Sequence, residues 1–449
     1  MRKVLLYICS VFILGGMTSC EDFLDKREDV GLTEDDIFRD YYSLRGFLDQ
    51  SFNQLENVMV MDNWENGRAF VGLFADEMAT TDNSSAVFTL HSGNWLSNAK
   101  SNKTFEIGNA GSTAISRSYK ALRINNRIIN DIDKAPLTPE QKNEILGQAY
   151  FYRSWFYFQI IKRYGGMPII DKVFEGGDDD IPRMTYHESH DWMMEDIQKA
   201  IYMLPDSWDD PNYGRPTKIA AMALKEWAQL FDASPLMQNN LNSTENKGYD
   251  TERAKSAAKS AYEVIRYMDG SKSAPYPYGL ASKEEYTNVF YFKYPPVHQP
   301  EYIWVKRQFP NAANQNQKRT IRTFWQYEDL AFGSGPDGNS MCCPSLNIVN
   351  MFDKKGADGI YYPIDDPRSG YALDYDHKPF EDRDPRFYNN ILLPGTTWGH
   401  YADGRTYYIT TYKGGAAYQH MLTQKDCNKR MFTGFMCKKV HVAGMQSVS

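Results

Sequence analysis

The strongest constraint on the fold is a long, aromatic-rich helical pattern that runs from Pro139 to Tyr164. The pattern stops at Gly165-Gly166, and Pro168 follows shortly after. A glycine just past the last helical residue, with a proline beyond it, is a typical signal for the end of a helix. We therefore predict one continuous helix over residues 139–164.

Amphipathic patterns on both sides of this segment predict further helices. Asp36–Leu55 and Ser118–Ile132 repeat apolar residues with a near-helical period. Further along, Thr185 and Glu188 have the spacing of a capping box, in which each side chain accepts a hydrogen bond from the other residue's backbone N–H. The helix that they open is predicted to end at about Met203, before a proline.

Two later helical patterns are rich in alanine. The first has Pro216 in its first turn and ends near Ala233, and the second spans Thr251–Tyr267. The small side chains that would let a neighbouring helix approach closely are Ala220, Ala221, Ala223, Ala228, Ala254, Ala257, Ala258 and Ala261. Paired helices with such contacts predict a mainly α fold, a tetratricopeptide-like helical stack, although no clear repeat of about 34 residues is visible.

The character of the sequence changes near Tyr276. Prolines, glycines and asparagines replace the long helical patterns, with a predicted strand at Glu301–Val305 and a predicted short helix at Leu346–Phe352. Long irregular segments in an ordered protein often carry binding function. We expect a helical part over about residues 20–270 and a loop-rich part with a few short strands over about residues 271–449.

The N-terminus has the pattern of a secretory signal. Arg2 and Lys3 precede an apolar stretch, Val4–Gly16, which is shorter than the about 20 residues of a membrane-spanning helix. The small residues that follow lead into Cys20, in an arrangement that resembles the lipobox of bacterial lipoproteins. We expect residues 1–19 to be a signal peptide, Cys20 to carry lipid and residues 20–449 to form a single domain. The alternative is an ordinary secretion signal in which Cys20 is incidental.

Charge and cysteine content exclude some classes of protein. The formal net charge is −7 and there are no basic runs, which argues against nucleic-acid binding. Of the six cysteines, Cys342 and Cys343 are adjacent and the others lie far apart. The spacing predicts neither a dense disulfide framework nor a Cys-x-x-Cys metal site.

Catalytic and metal-binding patterns are weak. His187 and His190 lack the HExxH arrangement, so we favour a solvated helix start over a zinc site. Gly176–Asp180 offers oxygen ligands but not the spacing of an EF-hand, so we favour a solvated loop, with a structural calcium ion as the alternative. We predict no catalytic residue, no metal site and no cofactor. A pair of carboxylates distant in sequence, as in a glycoside hydrolase, stays open.

The nine tryptophans divide into two groups. Four lie in predicted helices or the predicted strand, and we assign them to core packing: Trp155, Trp192, Trp227 and Trp304. Five lie in loop-like stretches rich in Asn, Gly and Asp: Trp64, Trp95, Trp208, Trp325 and Trp398. An exposed aromatic face can cover the C–H groups of a sugar ring while neighbouring polar groups bind its hydroxyls.

Two of these stretches are the best candidates for ligand contact. One contains Asn94 and Trp95, and the other contains Arg322 and Trp325. With Trp64, these residues are the predicted ligand-binding set, and loop packing is the alternative for each of them.

Eight short segments combine residues in motif-like patterns. The most distinctive is Gly147–Phe158 together with Tyr164–Pro168. The others are Cys20–Asp25, Ala121–Arg127, Asp196–Pro205, Gly214–Ala221, Pro344–Gly359, Arg383–Gly395 and Thr433–Lys438. In this order they resemble the motifs of the SusD/RagB family of Bacteroidetes-type lipoproteins, in which a glutamate is usual at the position of Gln148.

This resemblance implies a function as well as a fold. It implies a non-catalytic lipoprotein on the outer membrane, facing the outside of the cell, that binds oligosaccharides or polysaccharides. It also implies a partner, a SusC-like TonB-dependent transporter that takes up the bound glycan. Peptide capture, as by RagB, is the first alternative. A surface glycoside hydrolase and an adhesin are the others.

The resemblance is weaker at the C-terminus. Family members continue with further helices that close the helical stack, whereas this sequence ends at Ser449. We therefore expect a chain that is truncated relative to the family and lacks the terminal capping repeat.

Overall fold

Most of the described helices belong to one stack between residues 34 and 270. The computed structural model describes residues 33–55, 75–80, 114–174, 180–238, 248–271, 277–282, 300–306, 342–372, 378–400, 406–408, 412–414 and 436–437. The first seven α-helices among these residues are α1 (Glu34–Phe38), α2 (Tyr41–Asn53), α3 (Ala114–Asp131), α4 (Pro139–Tyr164), α5 (Tyr186–Met203), α6 (Lys218–Ala233) and α7 (Thr251–Gly270).

Each long helix packs against its neighbours in sequence. The pairs α2–α3, α3–α4, α4–α5, α5–α6 and α6–α7 are all in contact, which makes the arrangement a helical stack. Helix α4 lies at its centre, and Tyr152, Tyr157 and Phe158 are among its fully buried side chains. The predicted fold class, a mainly α helical stack, is confirmed.

The predicted helix ends are confirmed where local signals are strong. Helix α4 has the predicted bounds, and Gly165 beyond it adopts a positive φ of 77°. The capping box is formed, because the Thr185 hydroxyl accepts from Glu188 N and the Glu188 carboxylate accepts from Thr185 N. The single helix predicted over Asp36–Leu55 is wrong. Asp40 divides it into α1 and α2, since its extended backbone and its carboxylate, which accepts from Ser43 N, start a new helix.

The alanine contacts are present at several positions. Ala220, Ala221 and Ala228 of α6 and Ala257 of α7 are buried. Pro216 was predicted in the first turn of α6, but it lies before Thr217, the N-cap residue of that helix.

Short elements make up the described residues beyond 300. They are β2 (Cys342–Pro344), α8 (Leu346–Asn350), β3 (Lys354–Lys355), β4 (Tyr361–Tyr362), α9 (Pro385–Asn390), β5 (Ile391–Leu392), β6 (Thr397–His400), β7 (Thr406–Tyr408) and β8 (Met436–Cys437). An earlier strand, β1 (Met78–Thr80), pairs with β2, and the other antiparallel pairs are β3–β4, β5–β8 and β6–β7. The expected few short strands are therefore found in this part of the chain.

The strand predicted at Glu301–Val305 is wrong. Residues 301–306 form neither a helix nor a strand, and Ile303 and Trp304 pack against the helical core. The Trp304 indole N–H donates to the Gly214 carbonyl at 3.1 Å. Side-chain contacts with the helical stack thus position this segment without the backbone pairing of a sheet.

A buried arginine organises the loop-rich part. Arg383 is 1% exposed, and its guanidinium donates to the carbonyls of Val349 (2.7 Å), Phe352 (2.6 Å), Pro379 (3.1 Å) and Asp353 (3.3 Å). Burial lowers the pKa of Arg383, although nearby groups act in the opposite direction. One side chain therefore satisfies the carbonyls at the end of α8 together with those of a separate loop.

A buried ion pair connects three helices of the stack. The guanidinium of Arg153 in α4 donates to both carboxylate oxygens of Asp196 in α5, at 2.6 and 2.8 Å, and the two side chains are 6% and 2% exposed. Arg153 also donates to Asn126 of α3 at 3.0 Å. The Asn126 amide donates in turn to the carbonyls of Ile170 and Lys172. The same hydrogen-bond network therefore also holds the segment that follows α4.

None of the described helices is long and apolar enough to span a membrane. The described residues also contain no group of three or more His, Cys, Asp or Glu side chains placed to hold a metal ion.

Loss of the buried ion pair should destabilise the helical stack strongly. We expect Asp196→Ala to lower the free energy of unfolding by about 3–5 kcal/mol, because it leaves the Arg153 charge buried without its partner. Urea unfolding followed by circular dichroism measures this change. The control is Glu252→Ala, which removes an exposed ion pair with Lys255 and should change stability little. Equal effects of the two substitutions would contradict the central role of the buried pair.

Two glycines should respond in opposite directions to alanine. A Cβ at Gly166 would lie 2.1 Å from the Met184 carbonyl oxygen, whereas a Cβ at Gly46 in α2 would meet nothing within 4 Å. We expect Gly166→Ala to destabilise the protein by about 1–3 kcal/mol or more, because the clash is with backbone. Gly46→Ala should stabilise it by about 0.5–1 kcal/mol. Thermal melting of both variants tests the contrast, and a harmless Gly166→Ala would refute the close approach.

Candidate functional site

The residues predicted from the sequence to bind ligand or lipid lie outside the described residues. They are Cys20, Trp64, Asn94, Trp95, Arg322 and Trp325. Residues 176–179 of the stretch considered for calcium, Gly176–Asp180, lie outside as well. Their roles therefore stay predictions.

The described residues instead form an aromatic pocket beside the start of α6. Its volume is about 230 Å³. The described residues that line it are Ser207, Trp208, Tyr213, Gly214, Arg215, Thr217, Pro277, Tyr278, Pro300, Tyr302, Ile303, Trp304 and Val305. They come from three separate segments, which are the turn before α6, residues 277–278 and residues 300–305. We call this cavity the aromatic pocket.

Backbone hydrogen bonds fix the two tryptophans of the aromatic pocket. The Trp208 indole N–H donates to the Pro216 carbonyl at 2.8 Å, and that of Trp304 donates to the Gly214 carbonyl. Trp304 also makes edge-on contacts with Phe151, at 4.8 Å between ring centroids, and with Trp155, at 4.9 Å. With their N–H groups satisfied inside the protein, both rings present mainly their apolar surfaces to the pocket.

Arg215 joins the aromatic pocket to the helical stack. Its guanidinium donates to both oxygens of Asp49 in α2, at 2.6 and 2.8 Å, and to Gln148 in α4 at 3.1 Å. Its Nε donates to Asn212 at 3.1 Å. Burial disfavours the charged form, but the hydrogen bond and charge of Asp49 outweigh it and raise the pKa of Arg215. The pocket wall is therefore held by a charge pair that is neutral overall.

Hydroxyl groups supply the polar part of the wall. The Thr217 hydroxyl oxygen is buried and makes no hydrogen bond of normal geometry within the described residues, although its interaction with Tyr278 opposes the rise that burial causes in the pKa of that phenol. Burial raises the pKa of Tyr302 to about 12, and Tyr213 acts in the same direction. These hydroxyls stay protonated at neutral pH and can both donate and accept hydrogen bonds.

The sequence predicts only part of the aromatic pocket. Its patterns place Trp208 in a loop, as one of the aromatic side chains that could be exposed, and Trp304 in the core. The structure gives Trp304 both roles, because it packs on α4 and lines the pocket. Tyr278 and Tyr302 were not singled out. A signal was available in the motif Gly214–Ala221, whose first residues form one wall.

The solvated helix start predicted for His187 and His190 is wrong in part. His190 is 3% exposed, and His187 Nδ1 lies 2.7 Å from a carboxylate oxygen of the buried Asp232 in α6. Arg253 of α7 donates to the other oxygen of Asp232. The histidines thus belong to an ion-pair cluster between three helices, and the first turn of α5 is not simply hydrated.

Comparisons with known proteins agree with this architecture. A family model described as "Starch-binding associating with outer membrane" matches residues 22–226, and the model of the SusD family matches residues 300–449. The chain belongs to the SusD/RagB family, as the motif resemblance indicated. No curated protein matches the chain.

Solved structures show the same fold. A SusD-like protein from Bacteroides fragilis NCTC 9343 is 20% identical with a TM-score of 0.62, and the match covers 91% of this chain and 69% of that protein. A SusD-like carbohydrate binding protein from the same strain is 18% identical with a TM-score of 0.60, and the match covers 90% and 68%. At this level of identity the likeness establishes the helical architecture.

Alkaline pH should destabilise the protein partly through Tyr302. In the unfolded chain its phenol ionises near pH 10, whereas in the folded protein it stays protonated to about pH 12. The stabilisation is complete below about pH 10 and is lost as the pH rises towards 12, because the unfolded state releases its proton first. Urea unfolding between pH 9 and 12 should therefore show a smaller loss of stability for Tyr302→Phe than for the wild type. Tyr249→Phe, at an exposed position, is the control, and an unchanged decline in Tyr302→Phe would contradict the assignment.

Proposed function

We propose that this protein is a non-catalytic surface lipoprotein that binds glycans and passes them to a SusC-like TonB-dependent transporter. The observation that carries the proposal is the aromatic pocket in a chain of the SusD/RagB family. Fixed tryptophan faces next to unionised hydroxyls match the two kinds of surface that a sugar presents. Family members are in general binding proteins that do not catalyse reactions.

Binding would need no bond to be made or broken. The apolar C–H groups of a sugar ring would lie on the aromatic walls, and sugar hydroxyls would exchange hydrogen bonds with groups such as Thr217. Because the indole N–H groups are already satisfied, binding would leave no buried donor of the tryptophans unpaired.

Further contacts to a long glycan would come from the loops predicted from the sequence. In this proposal Trp95 with Asn94, and Trp325 with Arg322, extend the binding surface, and Trp64 contributes to it. Such loop residues suit a polymer that needs several weak contacts.

Affinity electrophoresis of the mature chain from Glu21, through gels that contain plant or host polysaccharides, tests glycan binding. We expect one polysaccharide to retard the protein, and Trp95→Ala or Trp325→Ala to reduce the retardation several-fold. A cooperative melting curve of each variant serves as the folding control. Binding of peptides without any retardation would favour peptide capture, and release of shorter sugars from the gel polysaccharide would favour a hydrolase.

The anchor can be tested separately. Cys20 is proposed to carry lipid that holds the protein on the outer membrane with its body facing outwards. Cells fed an alkyne-labelled fatty acid should label the wild type and Cys9→Ala, but not Cys20→Ala, and protease added to intact cells should cleave the labelled protein. Label retained in Cys20→Ala, or full protection from protease, would contradict the proposed anchor or its orientation.

A further inference from the structure

The size of the aromatic pocket limits what can enter it. Pockets that bury a drug-sized ligand measure about 300–1,000 Å³. The aromatic pocket measures about 230 Å³, below this range. It has room for a compact ligand of about one ring, whereas a segment of several linked sugars would extend beyond it.

The charge of the aromatic pocket limits the ligand further. Arg215 is the one charged side chain among the described lining residues, and it is paired with both oxygens of Asp49. Its remaining contacts to Gln148 and Asn212 occupy further N–H groups. A carboxylate or sulfate on the ligand would therefore lose its hydration in the pocket. It would find no compensating positive charge, because Asp49 already neutralises Arg215.

One polar group of the wall lacks a partner. Thr217 is 7% exposed, and its hydroxyl oxygen makes no hydrogen bond within the described residues. It precedes α6 without capping the helix, so it does not have the usual local role of a threonine at this position. Because this oxygen has almost no accessible surface, a ligand supplies the missing hydrogen bond only after the Thr217 side chain rotates towards the pocket.

From these three observations we infer that the aromatic pocket binds a single uncharged sugar ring, the terminal or branch residue of a neutral glycan. This inference rests on the proposed glycan-binding function and assigns one ligand class to one site. The pocket selects the end of the glycan, and the rest of the polymer lies against other parts of the surface.

Competition by monosaccharides tests the inference. A polysaccharide that retards the protein is hydrolysed with acid, and each constituent monosaccharide is added to the gel as its methyl glycoside. We expect one neutral methyl glycoside to release the protein, and saturation-transfer NMR to detect its ring protons at the protein. Thr217→Val should weaken this binding by roughly two- to tenfold, the effect of one hydrogen bond. Tyr249→Ala, at an exposed residue that is not among those lining the pocket, should leave it unchanged.

A substitution at Asp49 tests whether the aromatic pocket selects an uncharged ligand. Asp49→Asn removes the carboxylate that neutralises Arg215 and leaves the guanidinium in the pocket wall. The wild type should prefer methyl glucoside and methyl galactoside over the corresponding methyl uronates, and Asp49→Asn should shift the preference towards the uronates by severalfold. Thermal melts of the variant show whether it is folded.

The outcomes separate this inference from the proposed function. If a polysaccharide retards the protein but no constituent monosaccharide competes, or if Thr217→Val binds as the wild type does, the single-ring pocket is refuted and glycan binding stands. If the wild type binds uronates as well as neutral sugars, the selection for an uncharged ring is refuted. If no polysaccharide retards the folded protein, the proposed function fails and this inference fails with it.

Discussion

The helical stack depends on one buried charge pair, between Arg153 and Asp196. Neither group would be stable alone in the interior, since each would keep the cost of leaving water. Together they fix the separation of α4 and α5, and the contact from Arg153 to Asn126 adds α3. Because Asn126 also binds the carbonyls of Ile170 and Lys172, the chain that leaves α4 is directed by the same network. A change at any of these groups would therefore be felt in three helices.

A second arginine, Arg215, connects the aromatic pocket to the helical stack. Arg215 contacts Asp49 of α2 and Gln148 of α4, so the turn that contains Trp208 and Thr217 is held against helices that are already fixed. The segment at 300–306 then packs on the same surface through Trp304. The pocket lies where loop segments meet a rigid helical surface, which is a frequent arrangement for binding sites.

Local signals predicted most of the helix ends, although the local helix start at Asp40 was not recognised. Tertiary contacts account for the errors at residues 301–305 and in the aromatic pocket. The end of α4 at Gly165 and the capping box at Thr185 are encoded within a few residues, so the sequence alone located both. The strand expected at Glu301–Val305 is not formed because its apolar residues pack against the helical core, and among the described residues no strand pairs with it. The aromatic pocket was not predictable, since its walls come from segments about 90 residues apart, such as Gly214 and Trp304, and only folding brings them together.

The two fixed indoles have a consequence for stereochemistry. A hydrogen bond to the backbone, as in Trp208 and Trp304, restrains the indole ring from tilting to follow the shape of a ligand. An axial hydroxyl on the covered face of a sugar would lift that sugar off the indole plane, whereas its equatorial epimer would lie flat. We expect the rigidity of these walls to distinguish sugars that differ at one carbon, so that discrimination between epimers follows from immobility and not from an additional polar contact.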